Sequence, residues 1–169
     1  MLKLPKNIMD HPRRPELEAY FAEREQNLRE GSTIRVSRLE KAANLQDALT
    51  AAYGIGHLIQ GLELIAEKLD REQKGLKIAQ ERAGQPPPQR LSRLLILAND
   101  GSERFYRDAE AILKRHGDRL WCCVIEATAV ELGRAFTPKG NPAKALLIDD
   151  RNALGLFLST LAKAPNGTT

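Results

Sequence analysis

The chain reads as an α/β/α sandwich: three layers, with a short mixed sheet of about four strands between helices, plus an N-terminal helical extension. Three observations predict it. Leu94-Leu95-Ile96-Leu97-Ala98 and Trp121-Cys122-Cys123-Val124-Ile125 are apolar runs of strand length, and each is followed by a polar turn and a helical pattern. Lys144-Ala145-Leu146-Leu147-Ile148 repeats that arrangement ahead of a last amphipathic stretch. His57-Leu58-Ile59-Gln60 is a shorter run, framed by Gly56 and Gly61.

In chain order, residues 1–13 have no periodicity and contain Pro5 and Pro12, so they read as a loose arm. Pro15 suits a first helical position, and Leu17, Tyr20, Phe21 and Leu28 form a helical stripe up to Gly31. A second helix is expected from about Ser37, with Leu39, Ala42, Ala43, Leu45, Leu49 and Ala52 on its apolar face. A break near Asn44 leaves open whether it divides, and Gly54 and Gly56 end it. A third helix opens at Gly61 with Leu62, Ile65, Ala66 and Leu69, ending near Gln73 or Lys74. Gly75, Gly84 and Pro86-Pro87-Pro88 then argue against one continuous element, with room for a short helix across Leu76–Arg82. Beyond the strand at 94–98, Ser102 is placed to cap a helix bearing Phe105, Ala109, Ile112 and Leu113. The strand at 121–125 leads into a helix from about Ala127 to Phe136, and Asp149 or Asp150 caps the last helix. The expected organisation is an arm and helix over 1–36, a domain over 37–163 carrying a basic insertion at 74–92, and a tail over 164–169.

At 169 residues, 42% hydrophobic and 28% charged, the composition is that of an ordinary globular domain. No apolar run approaches the roughly 20 residues of a membrane span, and the N-terminus has no secretory core. The expected location is therefore the cytoplasm or a connected compartment, with no membrane partner. Cys122 and Cys123 are adjacent in a strand and point to opposite faces, so they read as small buried residues. His11, His57 and His116 have no second ligand at helical spacing, so no metal site is expected.

The net charge is +4, and it is concentrated. Between Arg71 and Arg93, six cations (Arg71, Lys74, Lys77, Arg82, Arg90 and Arg93) face only Glu72 and Glu81. The remainder of the chain is close to neutral, a distribution that fits contact with phosphate.

The order of elements from about Leu45 to Lys163 resembles the kink-turn-binding ribosomal protein superfamily, which includes the archaeal box C/D core protein and several eukaryotic ribosomal proteins. The residues that carry the resemblance are Gly56-His57-Leu58-Ile59-Gln60-Gly61-Leu62-Glu63, the strand and polar turn Leu94–Asp100, and Leu132-Gly133-Arg134-Ala135. Ala48 through Gln73, with its Lys68-Leu69-Asp70-Arg71-Glu72-Gln73 ending, looks most like the small-subunit ribosomal protein twelve group. The family commonly opens its RNA helix with Gly-Xaa-Asn-Glu. This chain has Gly61-Leu62-Glu63-Leu64, so the amide that would read sheared G·A pairs is missing.

The resemblance implies structured RNA, rRNA above all, as the ligand, with neighbouring ribosomal or ribonucleoprotein subunits as partners and no cofactor. The residues themselves suit that chemistry. A helix opening at Gly61 offers free N–H groups and a positive dipole end, and Gln60 adds an amide. Glu63 can accept from a base edge. The loop after Gly133 supplies Arg134, Lys139 and Lys144, while Lys68, Lys74, Lys77 and Arg90 extend the cationic surface. The aromatic residues fall on helical core stripes and make no stacking platform. No catalytic constellation is found: Asp149-Asp150 precedes a helix, and Ser102 lacks a nucleophile-elbow setting. A kink-turn subunit of a different particle, or a protein-interaction module without RNA contact, are the competing expectations.

Overall fold

The computed structural model describes residues 10–41, 43–84, 92–117, 119–135 and 139–163. Its elements are α1 (Arg14–Glu23), β1 (Glu25–Asn27), β2 (Arg35–Glu40), α2 (Ala43–Gly54), β3 (Leu58–Gln60), α3 (Leu62–Ala83), β4 (Arg93–Leu97), α4 (Glu103–His116), β5 (Leu120–Glu126), α5 (Ala129–Arg134), β6 (Ala145–Ile148) and α6 (Arg151–Lys163).

The sheet has six strands in the order β1-β2-β5-β4-β6-β3, not four. Both additional strands lie where helix was expected: β1 in the N-terminal extension, and most of β2 in the start of the second helix, placed from about Ser37. α1 stops at Glu23, and the chain turns into the antiparallel β1–β2 pair. β2 then runs parallel to β5, with Ser37 opposite Cys123 and Leu39 opposite Ile125. α1 is no appendage either. Leu17 and Phe21 are buried, and the Phe21 ring stands edge-on to Trp121 at 4.3 Å. Ser37 Oγ donates to the Phe21 carbonyl at 3.1 Å, tying α1 to β2.

Apart from Arg93 at the start of β4 and Glu126 at the end of β5, strands β4, β5 and β6 are apolar because both faces are covered. Leu94, Ile96 and Cys123 pack under α1, α2, α5 and α6; Leu95, Leu97 and Cys122 pack under α3 and α4. The two cysteines thus lie in opposite layers, both free and buried, and burial pushes both thiols far above their ordinary pKa. The caps follow the sequence closely. Ser102 Oγ accepts from the Phe105 N–H at 3.1 Å, and Asp150, rather than Asp149, accepts from the N–H groups of Asn152 and Ala153.

A second correction concerns the basic insertion. Residues 74–83 continue α3 as an unbroken helix to Gly84, whose left-handed backbone ends it with an N–H bond to the Gln80 carbonyl. Gly75 is helical and meets no neighbour, so its cost is the roughly 1 kcal/mol of glycine's helix propensity, too little to stop a helix flanked by Glu, Gln, Lys and Leu. Residues 85–91, including the proline run and Arg90, lie outside the described residues.

Candidate nucleic-acid interface

Strand directions gather several candidate elements at one end of the sheet. β2, β5 and β4 are parallel; β6 is antiparallel to β4, and β3 to β6. The carboxyl ends of β2, β3, β4 and β5 and the amino end of β6 therefore share one edge. Gln60, the loop before Ala145, and the start of α3 meet there. In doubly wound sheets this is the edge at which ligands bind.

The loop between α5 and β6 is held there by backbone bonds. The Ala143 N–H donates to the Ala129 carbonyl at 2.8 Å, and the Ala98 N–H donates to the Lys144 carbonyl at 2.8 Å. Gln60 Nε2 donates to the Pro142 carbonyl at 2.6 Å, and the Gly61 N–H to the Ala145 carbonyl at 3.0 Å. Gly133 is required at this point, because a Cβ there would collide with the Asn141 carbonyl oxygen. The stem of Arg134 lies over Gly140, where a Cβ would sit 2.8 Å from Arg134 Cγ. These contacts join the Gly61 helix start to the Arg134–Lys144 loop as one surface.

Arg134, Lys139 and Lys144 are exposed on that surface, and none has an ion-pair partner among the described residues. Gly61 gives α3 no side-chain cap, so the first-turn N–H groups point outward uncapped. Glu63 is exposed in the same turn and suits a donor rather than a phosphate. The edge also contains an anchor that the sequence analysis did not single out. Thr128 and Glu131 form a reciprocal capping box at the start of α5, and Lys41 pairs with Glu131 at 2.5 Å. The Lys41 ammonium, with the Thr128 bonds, holds the Glu131 carboxyl down to about 2. The Thr-Xaa-Xaa-Glu spacing at 128–131 was the available signal. Lys41 and Arg134 rim a groove of about 480 Å³ between α2 and α5, with Leu45, Leu49 and Leu132 as its apolar wall.

The remaining predicted cations lie elsewhere. Lys68 faces the protein: its ammonium is 3.3 Å from Asp149 and 4.0 Å from Glu72. Lys74 and Lys77 are exposed on the second half of α3. Thirteen residues of helix separate Lys74 from Gly61, about 20 Å at the usual rise. They do not belong to the Gly61 edge.

Among the described residues, no group of His, Cys, Asp and Glu could hold a metal ion, and no helix is long and apolar enough to cross a membrane. No protein-family model matches the chain, and no curated protein matches it. Solved structures match more loosely, two among them being informative about how loosely. A Bacillus halodurans C protein of unknown function is 14% identical over 72% of this chain and 100% of its own, with a TM-score of 0.49. A Giardia lamblia 15.5kD RNA binding protein is 14% identical over 70% of this chain and 82% of its own, with a TM-score of 0.44. Similarity at this level assigns no function.

Proposed function

We propose that this protein binds structured RNA through the carboxyl end of its sheet, as a structural component of a ribosome or another stable ribonucleoprotein rather than as an enzyme. One observation supports this above the others. Three exposed cations without ion pairs among the described residues (Arg134, Lys139 and Lys144) stand beside an uncapped helix start, and Gln60 and backbone bonds hold the chain at residues 142–145. Unpaired cations and free N–H groups on a rigid frame recognise phosphate and fold shape with little ordering cost. Gln60 and Glu63 add the two side chains able to meet a base edge. Small-subunit rRNA is the ligand to which the order of sequence motifs points, and neighbouring subunits are the expected protein partners.

A tagged copy sedimented through a sucrose gradient, with and without ribonuclease, tests the reading. Co-migration with a large particle that ribonuclease abolishes supports it. Free sedimentation in both samples counts against it.

A further inference from the structure

The cations of this protein fall into two groups. Some stitch the fold together: Arg93 and Arg119 converge on Glu72 at 3.2 and 3.0 Å, and Arg115 meets Asp70 at 3.4 Å. Others have no ion pair among the described residues, and four of these (Arg71, Lys74, Lys77 and Arg82) lie exposed on α3. Helical geometry places Arg71, Lys74 and Arg82 on the side away from Ile65 and Leu69, the residues that α3 buries against the sheet, and Lys77 on the flank that continues Ala66 and Asp70. They span twelve residues, about 16 Å of helix.

Two further features separate this row from the Gly61 edge. Glu72 already reaches Arg93 at the start of β4, so the helix beyond it passes the far edge of the sheet. The outer face of α3 also changes sign along its length. Glu63 and Glu67 come first, and the cations follow with Glu81 among them. A single run of phosphates laid along α3 from Gly61 would cross that acidic stretch.

We propose that the second half of α3 is a separate contact for the phosphate backbone of double-helical RNA, so that the protein holds two segments of one folded RNA. The inference rests on the reading of the chain as an RNA-binding protein but not on the Gly61 edge. The ligand class follows from the side chains. The row offers charges at helical intervals on a straight rod, and residues 61–84 contain no aromatic ring on which an unpaired base would stack. Such a surface reads backbone and shape, not sequence.

The test uses the full chain and a blunt 20-bp RNA duplex as the probe, titrated over a range of potassium chloride. The Lys74→Gln, Lys77→Gln, Arg82→Gln variant keeps good helix formers, and far-UV circular dichroism checks that α3 persists. The expected result is a duplex affinity at least about 10-fold weaker and a log–log salt slope shallower by about 2–3, near 0.9 per lost contact. A companion variant, Arg134→Ser with Lys144→Ser, should leave the duplex slope unchanged while weakening binding to an RNA hairpin with an internal loop. A charge-neutralised α3 that binds duplex with the wild-type slope overturns the inference. So does equal displacement of the duplex by polyglutamate. Neither of these two outcomes touches the Gly61 edge, which the companion variant tests alone.

Discussion

The Gln60 side-chain amide donates to the Pro142 carbonyl at 2.6 Å, so the last residue of β3 holds the loop that carries Lys139 and Lys144. Because Gln60 is exposed, the bond does little for global stability, and its effect is on where the loop sits. Gln60→Ala should leave the melting temperature within about 2 °C, since loss of an exposed hydrogen bond is a small perturbation. RNA affinity should fall roughly 2- to 10-fold, the equivalent of one net hydrogen bond. Parallel thermal melts and gel-shift titrations check both parts.

Gly133→Ala should be far more disruptive than its size suggests. The added methyl would meet the Asn141 carbonyl oxygen, a backbone atom held by the Ala143–Ala129 bond. Overpacking of that kind costs about 3 kcal/mol at the upper end of its usual range. Denaturant unfolding should show the loss as a lower midpoint with an unchanged slope.

Phe21→Ala tests whether α1 belongs to the core. The ring is buried and packed edge-on against Trp121. Truncation should cost about 3–5 kcal/mol, whereas a peripheral helical extension would lose almost nothing. Urea unfolding followed by Trp121 fluorescence distinguishes the two.

Acid should weaken the protein through three carboxylates held below their ordinary values. Lys41 and Thr128 lower Glu131 to about 2, His116 and Arg115 lower Asp70, and Ser32 and Arg29 lower Glu110. A carboxylate with a depressed pKa binds fewer protons when folded than when unfolded. For Glu131 the added stability is therefore complete above its ordinary value of 4.5 and is lost as pH falls toward 2. Glu131→Gln should flatten the stability profile in that window and leave it unchanged near neutrality apart from a constant offset. Melts at half-unit pH steps read this directly.

The second half of the chain was legible because its strands are uninterrupted apolar runs and its helices carry their own caps, Ser102 and Asp150. The first half was not, for identifiable reasons. β1 is Glu25-Gln26-Asn27, polar and exposed, and only its pairing with β2 makes it a strand. Leu39, Ala42 and Ala43 mimic a helical stripe across a boundary that the structure places between β2 and α2. Gly75 reads as a stop, yet the packed first half of α3 nucleates the remainder and propagation is easy. For the candidate site, motif order singled out Gln60, Gly61 and Arg134, and the structure places them at one edge. The ion pair of Lys68 was not legible because its partner, Asp149, is 81 residues away in sequence and close only after folding.

The most direct test of the central claim is the salt dependence of binding to an RNA hairpin with an internal loop, with Arg134, Lys139 and Lys144 each replaced by Ser in one variant. If these side chains touch phosphates, the wild-type affinity falls steeply with rising salt and the variant's slope is shallower by about 2–3, from 0.7–0.9 per contact. Identical slopes for the two proteins would contradict the account.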